Sequence, residues 1–261
     1  CILVVMKRFG IILITIILTT GAFAWGKTGH RVVGYVAQQH ITKKANKSIN
    51  KILKEYSLEM SGNFMDFIKA DTNYRHMGSW HYVSIPDGKT YADITKKPEG
   101  DVIWAIETII DELKTREFKI VPNEQFAIMA LVHFIGDIHQ PLHVGLAEDR
   151  GGNSVKVEFF GNQSNLHRVW DSELIDHQGL SYTEWGDHIN RGINKQQVLA
   201  WQSNTVTEWA TESMKWRSRC YDFGTWTNLK YDYIYRHMST VELRLEQAGV
   251  RLAGVLNEIY G

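Results

Sequence analysis

Apolar and polar positions follow a helical period along most of the chain. Apolar residues recur every three or four positions, a spacing that predicts seven helices. They span residues 29–42, 45–55, 101–117, 123–139, 166–176, 195–216 and 231–260. Pro141 ends the fourth, because proline cannot continue the hydrogen-bond ladder. Gly249 could break the last, since glycine weakens a helix interior. The prediction is a single, all-α domain.

One short segment follows a different period. Val155, Val157 and Phe159 alternate with charged residues within residues 154–160. This alternation is typical of a strand, and glycine and asparagine on both sides supply turns. We therefore expect one small β-hairpin on the helical body.

The first 24 residues have the pattern of a secretory signal peptide. Lys7 and Arg8 precede an apolar run over residues 9–20, and Ala22 and Ala24 form a small-x-small cleavage site. The run is short for a membrane span, although an uncleaved anchor is the alternative. We predict removal of residues 1–24, a mature chain that begins at Trp25, and export to the periplasm or the medium without stable membrane association.

Composition limits the function less than the motifs do. The chain has 29 basic and 29 acidic residues and is formally neutral. Neutrality argues against a protein that grips a long duplex, but not against an enzyme whose positive charge comes from bound metal. After cleavage only Cys220 remains, so no internal disulfide is possible. Nothing in the sequence requires more than a monomer.

Two His-x3-Asp pairs indicate a metal site. His133 with Asp137, and His167 with Asp171, have the i, i+4 spacing that places two side chains on one helical face. Imidazole nitrogen and carboxylate oxygen are ordinary zinc ligands. His143 follows the helix that Pro141 ends. One such pair alone is more often a surface hydrogen bond, but two pairs with a third histidine in one segment indicate metal binding.

The predicted mature N-terminus offers a further chelating group. A free α-amine and the carbonyl of Trp25 could close a five-membered ring on a metal, and His30 lies five residues later. Gly26 and Gly29 leave the intervening backbone pliable. The alternative is a packed tryptophan followed by a histidine at a helix start.

These motifs resemble the S1/P1 nuclease family of zinc-dependent single-strand nucleases and 3′-nucleotidases. The likeness covers the chain from Trp25 to its C-terminal helix. The motifs that carry it are Trp25-Gly-x-x-Gly-His30, Trp80-His81-Tyr82-Val83, His133-x3-Asp137-x5-His143, Gly151-Gly152-Asn153 and Asn165-Leu166-His167-x3-Asp171. The resemblance implies a mainly helical fold of the phospholipase C/P1 nuclease type. It also implies cleavage of single-stranded DNA or RNA to 5′-phosphate products, with 3′-nucleotidase activity.

The resemblance also implies three zinc ions. The implied ligands are Asp71, His81, His133 and Asp137 for the first, Trp25, His30 and Asp137 for the second, and His143, His167 and Asp171 for the third. The chain departs from the family pattern near Asp71, where Tyr74 stands in place of an arginine and the segment to His81 is shortened. Arg75 is therefore expected to stabilise the phosphoryl charge.

The resemblance implies that Tyr82 binds a nucleobase of the substrate. Its ring would stack on the base beside the cleaved bond, a preference that favours unpaired strands. Ser84 stands where the family often has an aspartate, so the base preference is open.

Two other functions fit parts of the pattern. A zinc phospholipase C has a similar cluster, but typically closes its last zinc site with His-x3-Glu, whereas this chain has Asp171. A non-catalytic, exported zinc-binding protein would need the ligands but no open coordination position.

Overall fold

The computed structural model describes residues 25–261, which are mostly helical and confirm the predicted all-α class. The predicted leader, residues 1–24, lies outside the described residues. The α-helices are Lys27–His40 (α1), Lys43–Leu53 (α2), Leu58–Ser61 (α3), Phe64–Ile68 (α4), Val102–Thr115 (α5), Glu124–His139 (α6), Leu166–Arg168 (α7), Leu174–Asp176 (α8), Tyr182–Asn190 (α9), Lys195–Gln202 (α10), Val206–Cys220 (α11) and Tyr231–Tyr260 (α12). A π-helical turn, Val169–Glu173, joins α7 to α8, and 3₁₀ helices span Thr72–His81, Tyr91–Asp93 and Pro141–Val144.

Helix α6 lies at the centre of the core. Every residue from Phe126 to His139 is buried, and α1, α5 and α12 pack around it. Asn123 caps its start by accepting a hydrogen bond from the Phe126 amide, and Pro141 follows its end. A helix buried on all sides is expected to be apolar throughout. The polar residues of α6 therefore need partners inside the protein.

Helices α1 and α12 lie against each other at close range. A Cβ atom added to Gly249 would stand 2.5 Å from Cβ of Val36, so glycine permits this approach. Helix α12 runs unbroken through Gly249, and the predicted break there is wrong. The packing of α1 stabilises the helix where the local sequence weakens it. Among residues 25–261, no helix has both the length and the apolar character needed to cross a bilayer.

The predicted hairpin forms and gains a third strand. Strand β1, Lys156–Phe159, pairs antiparallel with β2, Asn162–Asn165. Strand β3, Asn228–Leu229, adds to β1 in parallel. Two residues are too few to show alternation, so the sequence pattern did not predict β3.

Other differences arise at helix boundaries. The helix predicted over residues 195–216 is two helices, α10 and α11. Thr205 starts α11 with a capping box, in which its hydroxyl accepts from the Glu208 amide and the Glu208 carboxylate accepts from the Thr205 amide. The short helices between residues 58 and 81, and α9, were not predicted.

A buried ionic network holds the end of α6. Arg244 and Arg251 on α12 both pair with Glu212 of α11, at 3.0 and 2.6 Å. Arg244 Nε also donates to the carbonyl of His139, and Arg251 Nη1 lies 2.9 Å from His139 Nε2. Burial, followed by the two arginine charges, lowers the pKa of His139 well below its usual value, so this ring is neutral. The network fixes the turn of helix that follows Asp137.

Replacing Glu212 tests this network. In Glu212→Gln, two buried guanidinium groups lose their carboxylate, and we expect a loss of roughly 3 kcal/mol in the free energy of unfolding, measured by urea denaturation. Glu258→Gln is the matched control, because Glu258 on α12 pairs with Lys114 at the exposed surface. An equal, small effect of both variants would contradict a structural role for the network.

Candidate metal centre

Helix α6 presents His133 and Asp137 to one buried point. Both side chains are fully buried, and His133 Nε2 lies 3.3 Å from an Asp137 carboxylate oxygen. His133 donates its Nδ1–H to the carbonyl of Gly62 at 2.6 Å. This bond fixes the tautomer and leaves the Nε2 lone pair facing Asp137, as in metal-ligating histidines.

Two histidines from other elements converge on the same carboxylate. His30, in the first turn of α1, places Nε2 3.3 Å from Asp137, and its ring stacks on His133 with centroids 3.9 Å apart. His81, at the end of the 3₁₀ helix Thr72–His81, places Nδ1 2.9 Å from Asp137. A Cβ at Gly136 would stand 2.7 Å from His30 Nδ1, so this glycine makes room for α1 against α6.

A second group lies on the other side of His81. His143 donates Nδ1–H to the carbonyl of His81, and His167 donates Nδ1–H to that of Gly151, both at 2.6 Å. Their Nε2 atoms face Asp171, 3.6 Å away for His143 and 3.3 Å away for His167. Both histidines are thus oriented through backbone carbonyls, as His133 is, with Nε2 left as the free nitrogen.

Several nitrogen and oxygen atoms of these two groups have no hydrogen-bond partner. They are both ring nitrogens of His30, Oδ1 of Asp137, and Nε2 of His143 and His167. An unpartnered buried polar atom costs about 1–3 kcal/mol. Concentration of such atoms on converging imidazole and carboxylate groups is the arrangement that divalent cations satisfy.

The ligand atoms form three groups. Within each, the candidate atoms lie within 4.8 Å of one another. The groups are His30 with His133 and Asp137, Asp66 with His81 and His133, and His143 with His167 and Asp171.

The electrostatics favour the metal-binding form of some ligands and not of others. Burial acts to lower the pKa of His133 and of His143, but Asp137 foremost among their neighbours raises both pKa values above the usual value. Burial lowers the pKa of His30 to about 4 and that of His81 to about 3, so both rings are neutral at neutral pH. Burial acts to raise the pKa of Asp137, but His133 and His143 outweigh it and hold that pKa well below its usual value. Asp137 is therefore an ionised carboxylate at the centre of four imidazoles.

The structure brings Asp66, and not Asp71, to the His81 group. Asp71 is exposed and caps the 3₁₀ helix by accepting from the Asn73 amide at 2.9 Å. Asp66, on α4, has a nearly buried side chain 3.7 Å from His133 Nε2. Burial acts to raise the pKa of Asp66, yet the basic groups around it, His133 and then Lys69 foremost, together outweigh burial and lower the pKa to about 2.

Sequence reasoning missed Asp66 although a signal was present. Asp66 stands among apolar residues, and Lys69 follows it by three positions, with an Asp66–Lys69 ion pair of 2.6 Å. This is the spacing of the family's aspartate and arginine, with lysine in place of arginine. Counted from Asp66, the segment up to His81 is five residues longer than it is from Asp71.

Trp25, the first described residue, is buried beside the His30 group. The amide of Gly26 donates to the Asp171 carbonyl at 2.5 Å, which holds this end of the chain against the π-helical turn that carries Asp171. A Cβ at Gly26 would lie 2.3 Å from Ser172 Oγ, so the close approach requires glycine.

A cavity of about 540 Å³ opens onto the ligands. His81, His143 and His167 line it together with Tyr82, whose side chain is 40% exposed. Lys69 also lines this cavity. Arg75 does not: it is exposed and lines an adjoining depression of about 190 Å³, which shares Lys69 and Gly78 with the cavity. A larger groove of about 730 Å³, between α5, α11 and α12, contains none of the ligand residues.

The family model described as S1/P1 nuclease matches residues 25–261. The chain belongs to the S1/P1 nuclease family. The resemblance inferred from the sequence motifs is therefore confirmed, and the family is one of metal-dependent nucleases, hydrolases of phosphodiester bonds.

Several relatives are similar over nearly their full length. Endonuclease 3 of Arabidopsis thaliana is 30% identical, over 95% of this chain and 93% of that protein. Endonuclease 2 of the same organism is 29% identical, over 91% of both chains. Nuclease P1 of Penicillium citrinum is 28% identical, over 91% of this chain and 98% of its own.

The two aspartates give a paired test of the metal centre. Asp66→Asn is expected to lower the bound divalent metal by one equivalent, because it removes a carboxylate from the His81 group. Asp71→Asn is the control, since asparagine retains the capping hydrogen bond and lies outside the site. Metal content per chain, measured by mass spectrometry after dialysis, decides between them. Loss of metal from the Asp71 variant alone would refute the placement of Asp66.

Proposed function

We propose that this protein is a zinc-dependent nuclease that cleaves single-stranded DNA and RNA to 5′-phosphate products and has 3′-nucleotidase activity. The observation that carries the proposal is the arrangement of three histidine–aspartate groups, with unpartnered buried donor atoms, beside one open cavity. Neutral imidazoles and carboxylates together favour zinc over magnesium or calcium, which prefer oxygen ligands.

Three zinc ions would be held by three ligand sets. We assign Asp66, His81, His133 and Asp137 to the first, the Trp25 amine and carbonyl, His30 and Asp137 to the second, and His143, His167 and Asp171 to the third. Asp137 is shared by two sets, which fits the histidines that surround both of its oxygens. Asp66 replaces Asp71 in the assignment made from the family resemblance, because Asp71 lies away from the histidines.

Removal of residues 1–24 is part of this proposal. Cleavage after Ala24 would give Trp25 a free α-amine, so export and completion of the second zinc site would be a single event. We propose that the mature protein is a monomer, periplasmic or secreted, without stable membrane association.

Bound zinc would supply an acidic water and Lewis-acid stabilisation of phosphoryl oxygens. The residues of the chain would position the substrate. Lys69, held beside the site by Asp66, is placed to donate to a non-bridging phosphoryl oxygen as negative charge develops there. We propose this role for Lys69 rather than Arg75, which lies outside the cavity.

Tyr82 would select unpaired strands. Its exposed ring lines the cavity next to His81, where the base beside the reacting phosphate can stack. A duplex hides its base faces, so stacking on Tyr82 requires an unpaired nucleotide. Cleavage on the side of the 3′-oxygen, as the family resemblance implies, then gives 5′-phosphates.

The two alternative functions fit less well. Full-length similarity to the nuclease family disfavours a zinc phospholipase C. The cavity that opens onto His81, His143 and His167 disfavours zinc storage, which needs closed coordination.

The activity is tested with zinc-loaded protein that begins at Trp25. Incubated with a single-stranded oligonucleotide, it should release 5′-mononucleotides, identified by mass spectrometry, and a chelator should abolish the release. The same sequence as a duplex should be cleaved more slowly. Absence of cleavage in protein with its zinc content verified would refute the nuclease and direct the assay to lipid head groups.

The same assay compares the effects of replacing Lys69 and Arg75. Lys69→Ala should lower kcat by about 10²–10³-fold, the usual effect of losing one group that stabilises developing charge. Lys69→Arg should retain most of the activity, and Arg75→Ala should leave kcat unchanged. Metal content is measured for each variant, because Lys69 also pairs with Asp66. An active Lys69→Ala variant together with an inactive Arg75→Ala variant would restore the role to Arg75.

A further inference from the structure

Within residues 25–261, the part of the cavity wall that is not formed by histidines has basic side chains but no acidic ones. It is lined by the aromatic ring of Tyr82, the hydroxyls of Ser84 and Thr95, and the charged side chains of Lys97 and Arg150. Among the residues of the described chain that line this cavity, none is an aspartate or glutamate. The charged groups next to Tyr82 can therefore only donate hydrogen bonds.

Lys97 is held at the aromatic platform. Its Nζ donates to the phenolic oxygen of Tyr82 at 3.0 Å and lies 4.1 Å from the ring centroid. The side chain is only partly exposed. The two distances place Nζ above the phenolic end of the ring, so a base that stacks on the rest of this ring face would meet the ammonium with its edge. Arg150 lies elsewhere on the cavity wall.

The four bases differ in what they offer to such a donor. Guanine presents two neighbouring acceptors, O6 and N7, and thymine or uracil presents O4. Adenine and cytosine carry an amino group where guanine and thymine carry the keto oxygen, so adenine offers N7 without a neighbouring O6 acceptor, and both amino groups donate and are repelled by an ammonium. Lysine pairs commonly with the O6 and N7 atoms of guanine for this reason.

We infer that Lys97 makes this site select keto bases, guanine first and then thymine or uracil, for the nucleoside that stacks on Tyr82. The inference rests on the proposed nuclease function and adds a substrate preference to it. Lys97 acts here on the base edge and not on the phosphate. Its removal should therefore change the ranking of the bases and not only the overall rate.

The test uses four dinucleotides that share a 3′ thymidine and carry guanine, thymine, adenine or cytosine in the 5′ nucleoside. For the zinc-loaded protein, kcat/KM for guanine and thymine should exceed that for adenine and cytosine by at least about fivefold. Lys97→Glu should reverse the ranking, because a carboxylate accepts from the amino groups of adenine and cytosine.

Lys96→Glu is the matched control. It makes the same change in charge one residue away, but Lys96 lies over the Tyr91 ring and does not line the cavity. It should keep the wild-type ranking. Equal rates on all four substrates, or an equal loss on all four in Lys97→Glu, would overturn the inference and leave the nuclease intact. Failure of the wild-type protein to cleave any of them would instead remove the proposed function, and the inference with it.

Discussion

The structure depends on keeping one carboxylate ionised in the middle of the core. Asp137 is fully buried on a helix that is itself buried on all sides, where an uncompensated charge would be prohibitive. The carboxylate is surrounded by His30, His81, His133 and His143, which lie on four different elements and with it form the proposed site for the compensating cations. The start of α1 and the two 3₁₀ helices must therefore meet α6 at this one point. Gly136 leaves room for the His30 ring at this point. The buried ionic network at His139 fixes the helical turn that follows Asp137.

The sequence predicted the parts of the site that local spacing determines. The pairs His133 with Asp137 and His167 with Asp171 follow from the geometry of one helical turn, and His143 follows from the proline that ends α6. The helical class was likewise predictable from periodicity. What could not be predicted depends on long-range docking. The spacing of Asp66 and Lys69 marks this pair in the sequence, but Asp66 reaches His133 only because the short helix α4 packs against α6, and the apolar period did not identify that helix.

Long-range docking also determines the charge of the cavity wall. The chain is formally neutral, and its composition gives no sign of affinity for phosphate. Folding nevertheless brings Lys69, Lys97 and Arg150 to one cavity without an acidic side chain among its lining residues. A local field of this kind comes from the tertiary arrangement and not from net charge. Lys69 lines this cavity, whereas Arg75, the basic residue chosen from the family resemblance, lines only the adjoining depression.

The central claim is that three zinc ions share this set of buried ligands, with Asp66 among them. Anomalous diffraction above and below the zinc absorption edge, from crystals of zinc-saturated protein beginning at Trp25, tests it most directly. We predict three anomalous peaks, one bounded by Asp66, His81, His133 and Asp137, one by the Trp25 amine, His30 and Asp137, and one by His143, His167 and Asp171. Fewer than three peaks in saturated protein, or a peak coordinated by Asp71 in place of Asp66, would contradict the account.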